Sequence, residues 1–271
     1  MAPSLGAKAA FVSLSVAALL LGTPASSKDF KMQAADANFE AQIVGPRSRE
    51  ARAEDWPATF VFLNENGVQC TATAVGTQTI LTAAHCLPKS VNGTIQVGTT
   101  TLGVSCEKHG DYPAIVGADF ALCLTDSPMK APSSGFETVN TQAGLTPEGT
   151  EIRLIGFGCR LPGGEDLGFG RLAEGDAVVL VADPQYLETG GGAAICTGDS
   201  GGGAYLTKPA TASHRRLIAV NSHGDLNDRS YLSVTASKLF LDWAKSWSQT
   251  HGVTICGIEP GLMSCRESTI G

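Results

Sequence analysis

Two short stretches carry side chains that could act on one another. Gly198-Asp199-Ser200-Gly201-Gly202-Gly203 sets a serine among glycines, and Leu81-Thr82-Ala83-Ala84-His85-Cys86 sets a histidine beside a cysteine. A serine hydroxyl is a poor nucleophile at neutral pH because its proton is held too tightly. It becomes useful when an imidazole removes that proton and a third group orients the imidazole. Asp119, in Ala118-Asp119-Phe120-Ala121-Leu122, is the candidate third group, so the parts run in the order His, Asp, Ser. Asp111, in a His-Gly-Asp-Tyr-Pro run, and Asp126, before Ser-Pro, are rivals that read as solvated turn residues. The glycines around Ser200 let a carbonyl approach the backbone. The N–H groups of Gly198 and Ser200 could then hold a developing oxyanion.

Such residues must be carried by a frame. Glycine is abundant, with 32 residues, and aromatics are few, which suits short strands joined by tight turns. Strands are expected at Thr59–Leu63, Cys70–Val75, Thr79–Leu81, Thr94–Val97, Phe120–Leu124, Glu151–Ile155, Ala177–Val181, Leu217–Asn221 and Tyr231–Val234. One stretch differs. Leu239, Phe240, Trp243, Ala244 and Trp247 recur at helical spacing after Ser237, a suitable N-cap.

Three bulk features bound the function. The N-terminus combines Lys8, an apolar run from Ala9 to Gly22, and the small residues Thr23-Pro24-Ala25. That pattern reads as a secretory signal over 1–25, since the apolar run is shorter than the roughly 20 residues a membrane span needs. The eight cysteines, Cys70, Cys86, Cys106, Cys123, Cys159, Cys196, Cys256 and Cys265, suit an exported chain. Spacing alone leaves about a hundred pairings open. No Cys-x-x-Cys pair occurs, so no metal site is expected. The net charge is −7 with no basic run, which argues against nucleic acid as a partner. Asn92-Gly93-Thr94 is a glycosylation sequon, relevant only in a eukaryotic source.

The two motifs resemble the nucleophile and base loops of trypsin/chymotrypsin-like serine proteases. Thr82–Cys86 matches the base loop letter for letter, and Asp119 lies in a segment similar to that family's Asp-Ile-Ala-Leu. Ile43-Val44-Gly45-Pro46 resembles its Ile-Val-Gly-Gly mature start. The resemblance covers about residues 43–250. It implies an all-β fold of two six-stranded antiparallel barrels (chymotrypsin-like) with a C-terminal helix. With the signal over 1–25 and the polar, small-residue stretch over 26–42 read as a propeptide, it leaves a protease domain over 43–250 and a tail over 251–271.

In such a protease Ser200 attacks, His85 shuttles the proton, Asp119 orients it, and Gly198 with Ser200 holds the oxyanion. Asp199 would pair with the α-amino group of Ile43 after cleavage, which makes the chain a zymogen. Gln42 departs from the Arg or Lys common before that bond, so the activating protease is left open. The raised α-amino group and the His85 base together imply a neutral-to-alkaline optimum.

The pocket implied by the resemblance comprises Ala194, Ile195, Thr197, Ser222, His223 and Gly224. Ala194 stands where trypsin-like members hold an aspartate, and His223 stands for tryptophan in a Ser-Trp-Gly wall. Small or apolar residues are therefore expected at the cleaved position. A less favoured reading gives His223, with Thr197, or Arg229 an acidic side chain to receive. The resemblance also implies Cys70–Cys86. It leaves Cys196 without its usual partner, with Cys159 as a candidate, Cys106 with Cys123 across strands, and Cys256 with Cys265 remaining.

The expected protein is a secreted monomeric serine endopeptidase that needs no cofactor. Its partners would be protein or peptide substrates, protease inhibitors and an activating protease, with no membrane contact once the signal is removed. The alternative is a catalytically silent homologue that binds a partner, and a third reading is an esterase.

Overall fold

The computed structural model describes residues 43–89, 91–159, 161, 163, 170–207, 215–260 and 263–266. The expected signal and propeptide, and Gln42, lie outside them.

A short strand, β1 (Ser48–Glu50), precedes two barrels. The first contains β2 (Thr59–Asn64), β3 (Gln69–Ala74), β4 (Thr79–Thr82), β5 (Asn92–Val97), β6 (Thr100–Lys108) and β7 (Ala121–Thr125). They close in the order β2-β3-β4-β7-β6-β5. The second contains β8 (Glu151–Gly156), β9 (Ala173–Ala182), β10 (Tyr186–Gly190), β11 (Gly203–Thr207), β12 (Arg215–Gly224) and β13 (Ser230–Val234). Its order is β8-β9-β10-β13-β12-β11, closed by pairing of β11 with β8, and β1 pairs with the start of β9. All these pairings are antiparallel, so this is the expected fold of two six-stranded barrels, with one α-helix among the described residues.

Alternation of small and branched residues builds the interiors. In β9, Ala173, Gly175, Ala177 and Val179 turn inward while their neighbours face out. In β2, Phe60 and Phe62 fill the first barrel and Leu63 stays exposed. All nine expected strands form. β1, β6, β10 and β11 were not foreseen. β6 buries only Val104 and Cys106 among polar neighbours, so its apolar signal is thin, and the first barrel claims it by pairing on both sides.

The helix, α1 (Lys238–His251), begins where expected. The Ser237 side chain accepts from the Phe240 N–H at 3.2 Å, and Gly252 ends it at φ 64°. Beyond it the tail docks on the connection between the barrels. Val139 N–H donates to Cys256 O at 2.8 Å, and Phe136 and Arg266 pair by backbone at 2.8 Å. Under that tail lies a buried charge cluster. Arg215 Nη2 meets Glu137 Oε1 at 2.5 Å, Arg266 reaches the same carboxylate at 3.4 Å, and the Arg215 guanidinium sits 3.6 Å over the Trp56 ring. The disulfides are Cys70–Cys86, Cys106–Cys123, Cys159–Cys196 and Cys256–Cys265.

Candidate active site

His85 sits in a single tight turn (Ala84–Cys86) that leaves β4, and the Cys86–Cys70 bridge ties this turn to β3. Asp119 follows a second tight turn (Val116–Ala118) and is 1% exposed. The two residues meet twice. The His85 N–H donates to Asp119 Oδ1 at 2.9 Å, and Nδ1 lies 2.7 Å from Oδ2. Ser222, on β12 of the other barrel, donates its hydroxyl to the same Oδ2 at 2.5 Å. Burial alone would raise the Asp119 carboxyl, but the hydrogen bonds and charge of His85 and the Ser222 hydroxyl outweigh it and hold Asp119 below the ordinary carboxylate value. With Nδ1–H given to Asp119, the Nε2 lone pair is free to accept a proton. Of the two rivals, Asp111 is exposed and Asp126 accepts from Gly103 N–H at 3.2 Å, so neither joins this group.

Ser200 enters from the second barrel. Its carbonyl accepts from Thr71 N–H on β3 at 2.8 Å, and the sulfur of Cys86 lies 3.7 Å from the same oxygen. Its Oγ reaches the carbonyl oxygen of Ser222 at 3.5 Å. The nucleophile loop and the base turn, 114 residues apart, are therefore packed together. The loop fits only because its glycines lack side chains. A Cβ on Gly201, at φ 82°, would lie 2.0 Å from Thr82 Oγ1 and 2.3 Å from Thr71 O. Among the described residues the N–H groups of Gly198 and Ser200 have no backbone carbonyl partner.

Asp199 is fully buried. Its Oδ1 accepts from Gly158 N–H and its Oδ2 from Cys196 N–H, both at 2.8 Å. These donors flank the Cys159–Cys196 bridge, so one covalent link fixes both. Burial pushes the Asp199 carboxyl up to about 7 against the pull of those two N–H groups. Ile43 is fully buried among the second barrel's apolar residues, and Val44 O accepts from Ala194 N–H at 2.7 Å.

A cleft of about 300 Å³ opens beside His85, lined by Tyr112, Pro113, Val116, Asp119, Ser222 and His223. His223 stacks on Tyr231 with ring centroids 4.9 Å apart. Desolvation keeps its imidazole below the ordinary histidine value, Asp119 pulls the other way, and His85 adds to the lowering. Ala194 is fully buried beside Val44, Cys159 and Cys196. Ile195 donates its N–H to Ser230 Oγ at 2.9 Å, and a Cβ on Gly224 would lie 3.4 Å from its side chain. Thr197 is exposed.

Two roles shift. Ser222, expected as pocket wall, spends its hydroxyl on Asp119. Arg229 is engaged by Glu188 at 3.0 Å and Asp228 at 3.4 Å, and so is already paired at the surface. The loop after Gly224 carries no cysteine. Asp225 organises it instead, accepting from the N–H groups of Asn227, Asp228 and Arg229 at 2.9 Å each. Sequence reasoning gave no signal for Thr71 or Asn221. Asn221 donates through Nδ2 to Ile155 O at 3.0 Å and Asp199 O at 3.2 Å, holding the nucleophile loop from beneath.

The model of the Trypsin family matches residues 43–244. The chain belongs to the Trypsin family. Solved structures similar to this Trypsin-family chain include an atomic-resolution structure of HBP at 20% identity and TM-score 0.59, covering 73% of this chain and 94% of that one. A mutant of human heparin binding protein (CAP37), at 21% identity, and human heparin binding protein, at 18%, give the same TM-score of 0.59 and the same coverage, 73% and 94%. At these identities the likeness is one of fold. No curated protein gives a significant match to the chain. Among the described residues, no helix is long and apolar enough to cross a membrane.

Proposed function

We propose that the chain is a secreted serine endopeptidase, made as a zymogen, that cleaves peptide bonds through Ser200, His85 and Asp119. The observation that carries this reading is the doubly bonded pair of His85 and Asp119, with Nδ1 2.7 Å from the carboxylate, packed against the loop that bears Ser200. In the reaction Ser200 Oγ attacks the carbonyl carbon while His85 Nε2 takes its proton. The negative charge that develops on the carbonyl oxygen is met by the Gly198 and Ser200 N–H groups. His85 then protonates the leaving amine, and water repeats the sequence on the acyl-enzyme. Asp119 stays ionised throughout and stabilises the imidazolium.

Activation follows from Asp199. Cleavage before Ile43 would free an α-amino group able to pair with Asp199, a buried carboxylate that in the uncut chain accepts from the Gly158 and Cys196 N–H groups. The cleaved position is best suited to small or apolar side chains. Ala194 offers no charge, Ile195 narrows the space beside Gly224, and Arg229 is already paired.

The other reading is a binding protein on the same fold. Its support is the name of the structural neighbours, human heparin binding protein. A net charge of −7 disfavours a polyanionic ligand. Incubation of the cleaved chain with diisopropyl fluorophosphate separates the two readings. Stoichiometric labelling of Ser200, together with casein digestion that is lost in Ser200→Ala, supports the protease. An unlabelled, inert chain refutes it, and ester hydrolysis without casein digestion indicates an esterase.

A further inference from the structure

Thr71 is a fully buried residue of β3 with polar contacts on every side. Its N–H donates to Ser200 O at 2.8 Å, and its hydroxyl donates to Gly198 O at 2.8 Å. Thr71 Oγ1 in turn accepts from Phe157 N–H at 2.9 Å, and Thr82 Oγ1 donates to Thr71 O at 2.8 Å. One side chain of the first barrel thus joins two loops of the second. One loop is the stretch that carries Ser200. The other is Gly156-Phe157-Gly158, whose last N–H holds Asp199. Gln69, on the same strand, donates its side-chain amide to Phe157 O at 3.0 Å and braces that second loop again.

The geometry gives these bonds a specific consequence. The peptide that carries the Ser200 N–H lies between the peptides whose carbonyls are Gly198 O and Ser200 O. Thr71 holds both of these carbonyls, while Asn221 Nδ2 and Gly202 N–H hold the Asp199 carbonyl of the peptide between them, so rotation of that peptide is restrained from both barrels. Gly198 stands at φ 97°, a conformation that glycine leaves as readily as it enters, and its other side carries the second oxyanion donor. A bond to the Gly198 carbonyl fixes that hinge at its outlet. Threonine suits the task because branching at Cβ restricts χ1, so the hydroxyl is aimed before the loop arrives.

We propose that Thr71 is a positioning residue for the oxyanion-binding N–H groups of Gly198 and Ser200, acting through its hydroxyl from the opposite barrel. The proposal rests on the reading of Ser200 as the nucleophile. It adds a control point on the first barrel beside that of Ile43 and Asp199. Cleavage before Ile43 orders the loop from the second barrel, and Thr71 registers it against the barrel that carries His85.

The test compares wild type with Thr71→Val, which keeps the shape and removes the hydroxyl, and with Thr71→Ser, which restores it. The first readout is the rate of Ser200 labelling by diisopropyl fluorophosphate, which needs the oxyanion N–H groups and no side-chain pocket. The second is the split between kcat and KM on casein-derived peptides, with melting temperatures recorded alongside. Thr71→Val is expected to lower both labelling rate and kcat by about tenfold to a hundredfold at little-changed KM, somewhat less than loss of an oxyanion donor itself. Thr71→Ser is expected to recover most of that loss, at a melting temperature that need not match wild type. Thr71→Ala, which makes no new contact, replaces the valine variant if the latter does not fold, and the same split is expected. A folded Thr71→Val or Thr71→Ala with wild-type labelling overturns the proposal while leaving the protease reading intact. So does an effect confined to KM, or a serine variant no better than valine. A wild-type chain that never labels overturns both.

Discussion

Cleavage before Ile43 should change how stability depends on pH, and the structure fixes the sign. In the uncut chain Asp199 is fully buried, is held by two N–H groups, and has its carboxyl pushed from 3.8 up to about 7. Between those two pH values the native chain keeps a proton that the unfolded chain has lost. Stability of the uncut form therefore falls as pH rises through that window, and the full penalty is present above it. The interval corresponds to about 4 kcal/mol. For a chain of this size that is about 10 °C in melting temperature. An α-amino group beside Asp199 would favour the charged carboxylate and remove the penalty. The assay is a melt of Ser200→Ala chains, uncut and cut, from pH 4.5 to 8. The lowered carboxyls of Asp119 and Asp176 oppose this trend, losing stability as pH falls, but they are common to both forms and cancel in the difference. The cut form should overtake the uncut one as pH rises. Parallel curves, or an uncut form that gains on the cut one toward pH 8, would refute the reasoning.

Other consequences follow from contacts outside that switch. Glu137→Ala should cost about 3–5 kcal/mol in urea unfolding, because it strands Arg215 in a fully buried site, whereas Glu137→Leu with Arg215→Met should recover much of it. Replacing Cys256 and Cys265 by serine opens a link of sequence separation 9 and should remove about 2–3 kcal/mol of stability, read by calorimetry, with little effect on turnover. Ser222→Ala withdraws the 2.5 Å hydrogen bond from Asp119 and should lower kcat by about tenfold at a similar KM, measured on the cut chain.

Much of the site was legible in the sequence because its chemistry is local. The proposed approach of a carbonyl to the backbone at Ser200 needs glycine close by, and Gly198, Gly201 and Gly202 stand within two residues of it. The base turn likewise carries its own anchor, with Cys86 directly after His85. The nine expected strands showed as β-rich runs punctuated by Gly, Asn, Pro and Asp, and the helix by its spacing and N-cap. The four missed strands carry thinner local signals and form because neighbouring strands pair with them. What surrounds the nucleophile was not legible. A threonine in a strand, an asparagine at 221 and an aspartate at 225 are unremarkable letters, and they matter only through carbonyl and N–H groups that the fold carries to them.

The order of the reactive side chains, the glycines that make room for them and the cysteines that anchor them belong to the chain itself, since each depends on neighbours a few residues away. The mutual aim of those groups belongs to the closed barrels. Ser222 reaches Asp119 across 103 residues and Thr71 reaches Gly198 across 127. Hydrogen bonds demand positions good to a fraction of an ångström, and over such separations only packed strands can supply them.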